Sequence, residues 1–448
     1  MTPSEALSAL RAAEARDGRI PVERRRDLLA ALDREVIARA APFAKALAAD
    51  TGGRSEEETL LADVLGVAEA ARHARRHVRA WARPRRVAVP YPFLPARAWE
   101  EPVPKGVVGI IAPWNYPIQL CLVPLVDALA AGNRVVVKPS EATPRTAGLI
   151  AEVLAAALGP GVALAVQGGP DVAAEFARQP WDHLMFTGGT ETGRKVALAA
   201  AANLVPVTLE LGGKCPAIVL PGADLGRAAR AILAGKAINA GQTCIAPDTV
   251  LLVGHTQAAF EAACRATGIA LPDSPVASDP AAARLDRLLE GASLAPLGPD
   301  GPGRRRALAL ASAPAGAALS REEIFGPILA VEACGSLDAA LAWLDAHPPP
   351  LAVYLFGATR AEEEGIAQRA RAGAIVCNRT VEYAAFPALG FGGVGASGHG
   401  LTHGRRGFEQ FSVLRARVRH GRLSLSKLFD PPRGKFAMRV LRRLVKLP

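Results

Sequence analysis

Residues 106–126, GVVGIIAPWNYPIQLCLVPLV, run for 21 positions without a charge. That is long enough to cross a bilayer as a helix. Its interior argues for something else. Pro113, Pro117 and Pro124 interrupt the run, with Trp114, Asn115, Tyr116 and Gln119 among them. Proline withdraws a backbone donor and breaks regular structure. The stretch therefore divides into a buried strand at 107–111, a loop, and a helix over 120–131 that Gly132-Asn133 closes. The same unit repeats downstream. Strands are predicted at 134–137, 163–166, 183–186 and 207–209, with a helix over 146–158. A second αβ series runs from about 211 to 388, with helices near 225–238 and 336–346. Its strands lie near 216–220, 249–253, 351–356 and 374–377. Such alternation predicts parallel sheets covered on both faces, with ligands beyond the carboxyl ends of the strands.

The flanking segments read differently. Over 4–82, Leu28, Leu29, Leu32, Val36 and Ile37 recur at helical spacing, and Thr51-Gly52-Gly53 breaks the pattern. This part reads as scaffold without visible chemistry. Residues 84–103 are proline-rich with alternating apolar residues, as in an extended arm that can pair with another subunit but cannot be a central strand. Residues 270–320 are rich in Pro, Ala and Gly around Arg304-Arg305-Arg306 and predict loops with weak secondary structure. Residues 411–419 alternate like a strand.

At 448 residues the chain exceeds what one hydrophobic core supports. Half of it is hydrophobic and 21% charged, a globular balance. Cysteines stand at 121, 215, 244, 264, 334 and 377, with no C-x-x-C pair or Cys/His cluster, so no metal site is expected. Few, scattered cysteines and an N-terminus without a basic-then-apolar leader point to a cytoplasmic protein. The net charge of +11 is concentrated: residues 411–448 hold eleven Lys/Arg and one Asp. A near-neutral body with a basic tail does not predict nucleic-acid binding. Within the tail, Phe436, Val440, Leu444 and Leu447 share one helical stripe. A basic amphipathic helix can lie on an anionic membrane, but a short one gives marginal attachment, so docking on protein is the favoured expectation.

Six short stretches carry candidate chemistry, each with an ordinary structural alternative. Gly241-Gln242-Thr243-Cys244 places a thiol after a tight turn, although free cysteines are usually buried core residues. Asn115, between two prolines, offers an amide to an oxyanion or merely forms a turn. Lys138-Pro139-Ser140-Glu141 follows a strand, where Lys and Glu can bond a ribose or form a solvated pair. Phe186-Thr187-Gly188-Gly189-Thr190-Glu191-Thr192-Gly193 joins a strand to a helix, where backbone can approach a pyrophosphate. Glu210, framed by Leu211-Gly212-Gly213, is a candidate general base or a partner of Lys214. Glu323 and Phe325, two apart on an extended segment, would share a face, ring against nicotinamide and carboxylate on ribose.

Taken together and in this order, PWNYP, KPSE, FTGGTETG, ELGGK, GQTC and EEIFGP, with FGGVGASGHG at 391–400, resemble the NAD(P)-dependent aldehyde dehydrogenase superfamily. The TCIAPD continuation and the tail FGGVGASGHGLTHGRRGFEQFS are similar to its class 3, coniferyl-aldehyde-dehydrogenase-like branch. The resemblance implies two Rossmann-type αβα domains with parallel sheets and a small β oligomerisation arm. Residues 1–83 with 104–210 would bind the dinucleotide and 211–388 would be catalytic. Residues 84–103 and 409–425 would form the arm of a homodimer, and 426–448 the basic tail. It implies Cys244 as nucleophile, Glu210 as general base and Asn115 as oxyanion donor. Trp114, Lys138, Glu141, Thr187, Gly188, Gly189, Gly193, Leu211, Glu323 and Phe325 would contact NAD, with NADP possible. The implied reaction oxidises an aldehyde, aromatic or medium- to long-chain aliphatic, to its acid through a thiohemiacetal and a thioester. A catalytically impaired cofactor-binding homologue and a cysteine esterase are the alternatives. The chain departs from the family pattern at Gly189, where Ser or Asn is usual, at Gly390, where Pro is usual, and in a shortened stretch between Cys244 and Glu323.

Overall fold

The computed structural model describes residues 1–314, 316–422, 426–427 and 430–446. Leu447 of the tail stripe lies outside them. The uncharged opening run does not become one long helix. Val107–Ile111 is a strand with every residue buried, and Gln119–Ala131 is a helix whose residues from Cys121 onward are buried. Each apolar side chain fully withdrawn from water contributes about 1.5–3 kcal/mol, which drives this run into the protein core. Among the described residues, no helix is long and apolar enough to cross a membrane.

Three sheets organise the described residues. The first has six strands, with Val107–Ile111 between His183–Gly188 and Arg134–Lys138. Val207–Leu211 lies beyond His183–Gly188, and Ala163–Ala165 beyond Arg134–Lys138, all parallel. The chain-order pattern 3-2-1-4-5 is that of a doubly wound nucleotide-binding sheet. The sixth strand, Gly398–His399, comes from near the C-terminus and pairs antiparallel with Leu209 and Glu210. Gly398 has φ 122°, and a Cβ there would lie 1.9 Å from the Leu209 carbonyl oxygen, so only glycine permits this approach.

The second sheet has seven strands. Pro216–Val219, Thr249–Val253, Ile328–Cys334, Ala309–Ser312, Ala352–Phe356 and Ala374–Cys377 are parallel, and Ser293–Pro296 is an antiparallel edge. The third pairs Arg85–Val87, Arg97–Pro104 and Ser412–Arg419 antiparallel, as the arm segments predict.

Residues 270–320 differ from the expected loops. They hold helices Asp279–Leu288 and Ala318–Arg321 and strands Ser293–Pro296 and Ala309–Ser312. The arginine run explains the order. Arg304 donates to the carbonyls of Val276, Ala277 and Thr51, and Arg305 to those of Asp273 and Gly53. Arg306 pairs with Asp286. These cations saturate loop carbonyls, a function that composition alone does not reveal. The tail helix Lys435–Leu444 forms, but only Ala437 is buried, while Phe436, Met438, Leu444 and Val445 stay exposed. The single chain does not cover this apolar face.

Candidate active site

The loops that follow the first sheet's strands face the loops that precede the second sheet's strands. The carboxyl-end expectation therefore holds for Asn115, Thr187 and Glu210, but Cys244 and Glu323 sit at amino ends, ahead of Thr249–Val253 and Ile328–Cys334. Between them lies a cavity of about 330 Å³. Trp114, Asn115, Thr187, Gly188, Gly189, Glu210, Leu211, Cys244, Glu323 and Phe325 all line it. Lys138, Glu141 and Gly193 do not. Lys138 is buried and donates to Glu141 Oε2 at 2.7 Å, so the pair is anchored rather than freely solvated. Gly193 is required by packing: a Cβ there would lie 2.5 Å from Leu211 Cδ2. The glycine thus lets helix Thr190–Ala201 close on the sheet.

Cys244 is presented by an unusual backbone. Asn239, Ala240 and Gly241 have φ values of 49°, 52° and 72°, three left-handed residues in succession. Holding a non-glycine residue there costs about 1–3 kcal/mol and needs surrounding structure to enforce it. That structure is visible. Asn239 N–H donates to Glu58 Oε1 at 2.9 Å, and Asn239 Nδ2 to the Asn115 carbonyl at 3.0 Å. Gln242 Nε2 donates to the carbonyls of Asn239 and Pro275, while its Oε1 accepts from Ala277 N–H. At Gly241 a Cβ would lie 2.2 Å from the Gly326 carbonyl oxygen. The turn swings Cys244 out of the core, half-buried, toward the cavity.

Asn115 Nδ2 donates to the Gln242 carbonyl at 3.1 Å. An amide carries two N–H donors, so one remains for a ligand. Its backbone carbonyl accepts from Arg54, whose guanidinium lies 4.6 Å over the Tyr116 ring and pairs with Asp63 at 3.0 Å. Asp63 Oδ1 in turn accepts from Ile118 and Gln119 N–H, where helix Gln119–Ala131 begins. Arg54, Glu58 and Asp63 thus brace the site from a segment that the sequence presents only as scaffold. No local signal marks them, because the site residues they hold lie more than 50 residues away.

Glu210 does not pair with Lys214. It is buried, and neither carboxylate oxygen has a hydrogen-bond partner. Burial pushes its pKa well up. Lys214 instead pairs with Asp248. Burial likewise lifts Glu323 to about 7. The Cys244 thiol is pushed up to about 12, by burial first and then by the charges of Glu323 and Glu210. Three acids therefore share one poorly hydrated space, where ionising one raises the cost of ionising the others.

Phe325 does not lie on a plainly extended segment, since its φ is 51°. Its ring nevertheless meets Trp114 edge-on at 5.7 Å, forming an aromatic corner. Arg284, on a helix that the sequence reads as loop, also lines the cavity and donates to the carbonyls of Glu323 and Ile324. The other wall consists of Gln119, Val123, Pro124, Met185, Phe391, Thr402 and His403. These residues carry little chemical signal in sequence because their contribution is shape.

Comparison with known proteins now places the chain. The aldehyde dehydrogenase family matches residues 1–280 and 288–416. A probable coniferyl aldehyde dehydrogenase of Pseudomonas aeruginosa is 39% identical over 89% of this chain and 87% of that protein. A coniferyl aldehyde dehydrogenase of a Pseudomonas species is 40% identical over 83% and 81%. The structure described as the substrate-bound state of Staphylococcus aureus AldH superposes with TM-score 0.93 at 30% identity, covering 99% of both chains. A match of this extent, on a fold with the same mixed sheets, means that the chain belongs to the aldehyde dehydrogenase family of aldehyde-oxidising oxidoreductases.

Proposed function

We propose that this protein oxidises an apolar, aromatic or medium- to long-chain aldehyde to its carboxylic acid, with Cys244 as nucleophile, Glu210 as general base and Asn115 as oxyanion donor. The carrying observation is the convergence of all three on one cavity, with both Glu210 oxygens buried and free of protein partners. A dinucleotide fits the residues present. Helix Thr190–Ala201 begins at the cavity with no side-chain cap, leaving its first N–H groups for phosphate. Glu323 and the Trp114–Phe325 corner suit a ribose and a flat ring. Half-exposed Glu141, held by Lys138, would repel a 2′-phosphate and favours NAD over NADP.

Bound nicotinamide supplies the two-electron acceptor. The chain supplies the rest. The Cys244 proton moves to a carboxylate within the cluster, and the sulfur attacks the aldehyde carbon. The spare Asn115 N–H and the Cys244 backbone N–H hold the resulting oxyanion. At the thioester stage Glu210 takes a proton from water, which attacks the acyl carbon and frees the acid. Val123, Pro124, Met185 and Phe391 give the entry an apolar lining suited to an aromatic or alkyl chain. The names of the coniferyl aldehyde relatives favour the aromatic class. A rate screen over aromatic and aliphatic aldehydes with NAD and NADP tests this reading. Absence of aldehyde-dependent reduction with every member, or unchanged turnover in Cys244→Ser, would overturn it. Ester cleavage by Cys244 is a side reaction of the same arrangement and needs no dinucleotide.

The arm exposes Val87, Val413, Leu414 and Val418 on a three-stranded sheet with a free edge, and Phe93 on the turn that joins its first two strands. This supports a homodimer formed through the arm. The exposed face of Lys435–Leu444 is assigned to a partner subunit ahead of a membrane. All six cysteines are free, as suits a cytoplasmic protein.

A further inference from the structure

Asp248 and Lys214 belong to neither the nucleophile nor the base, yet they join the loops that carry both to the one that carries Glu323. Lys214 closes the Glu210-Leu211-Gly212-Gly213 segment. Asp248 lies four residues beyond Cys244. Their ion pair is almost wholly buried, with side chains 5% and 3% exposed. Lys214 Nζ also donates to the Leu319 carbonyl at 2.9 Å and the Glu322 carbonyl at 3.0 Å. Asp248 uses its second oxygen to accept Ile324 N–H at 2.7 Å. Three bonds from one ion pair thus converge on 319–324, the segment that delivers Glu323 to the cavity. Each partner is satisfied, so the pair is a built joint rather than an accidental surface contact.

We propose that the Lys214–Asp248 pair is a positioning device for the cofactor side of the cavity, holding Glu323 and Phe325 at the depth where a dinucleotide's ribose and nicotinamide bind. This rests on the cofactor reading given above. The cysteine loop does not depend on the pair in the same way. Its shape is set by Asn239, Gln242 and Glu58, and the Tyr116 hydroxyl bonds Thr243 Oγ1 at 2.6 Å. Loosening the joint should therefore damage dinucleotide binding and spare the sulfur.

Asp248→Asn is the sharp perturbation. A carboxylate accepts on both oxygens, from Lys214 and from Ile324 N–H. An amide accepts on one atom only, and its –NH2 must face one of those two donors. The double variant Lys214→Met/Asp248→Asn removes both charges of the pair, so neither partner is left as an unpaired buried ion. Two readouts are taken on each protein: NADH affinity from its fluorescence, and cleavage of p-nitrophenyl acetate without cofactor, which reports Cys244. The expected result is NADH binding weakened at least about tenfold in both variants, with ester cleavage within about twofold of wild type. NADH binding equal to wild type in both would overturn the proposal. So would ester cleavage falling in step with NADH affinity in both, since the pair would then hold the whole site rather than its cofactor side. A wild-type protein that cleaves the ester but binds no NADH would sink the cofactor reading and this proposal together.

Discussion

Replacing Glu210 with Gln tests the proposed division of labour most directly. The side chain has no hydrogen-bonded partner to lose, so the variant removes little except the ability to take a proton. The amide is nearly isosteric, and the space beside Oε1 exists because residue 392 is glycine, where a Cβ would stand 3.1 Å away. A positioned general base contributes about 10²- to 10⁴-fold. Steady-state turnover should fall by that factor. Thioester formation should proceed, so rapid mixing should show a burst of about one NADH per subunit before the slow phase. Stability supplies a second measurement. Burial raises the folded pKa of Glu210 above 4.5, so between that value and the folded one the native chain keeps a proton the unfolded chain has lost. Wild-type stability is then lost as pH rises through this window, by at most about 1.4 kcal/mol per pH unit, and the Gln variant lacks this slope. Thermal unfolding across pH should show the variant gaining on the wild type as pH increases. Turnover within about threefold of wild type would refute the assignment. Loss of the burst together with turnover would move Glu210 to the first half of the reaction.

Three further outcomes are expected. Glu323→Gln should accelerate iodoacetamide alkylation of Cys244 several-fold at pH 8.5 in the cofactor-free protein, because a carboxylate that raises the thiol pKa is gone. At pH 6, below the value of about 7 for Glu323, the two proteins should react alike, and a pH-independent difference would count against the coupling. Gly189→Ser should fold, since a Cβ there meets nothing within 4 Å and φ is −68°. Its hydroxyl, turned to donate to the phosphate alongside the helix's free N–H groups, should lower the NAD KM, with an unchanged or higher KM contradicting the phosphate assignment. Light scattering should give twice 46.6 kDa for the wild type, and Leu414→Asp/Val418→Asp should give the single-chain mass. A dimer that survives both substitutions would place the interface elsewhere.

Much of this was legible because period and punctuation act locally. Proline at 113 and 117 and glycine at 132 bound their elements where sterics require it, and the strands expected at 107–111 and 134–137, found at 107–111 and 134–138, follow from apolar runs too short for helices. The cavity's chemical residues were legible because their types are costly to bury without purpose. What sequence concealed depends on distant partners. Arg304 and Arg305 order a proline-rich segment through carbonyls more than 250 residues away as well as nearby ones, and no local pattern announces that. Arg54 and Asp63 look like surface charge until they meet behind Asn115. Gly390, a departure from the family pattern, has no structural explanation: a Cβ there would crowd only the exposed, movable Arg406 side chain.

The two-residue strand Gly398–His399 has a mechanical consequence. It zips onto Leu209 and Glu210. Thirteen positions past His399 the same chain enters the outer strand Ser412–Arg419. The carboxylate proposed to handle water and the ribbon at the molecule's margin are therefore joined by one short stretch, and helix Gly404–Gln410 in its middle buries Phe408 beside Phe411 in the core. A pull on that ribbon would have to dislodge those two rings before it reached Glu210.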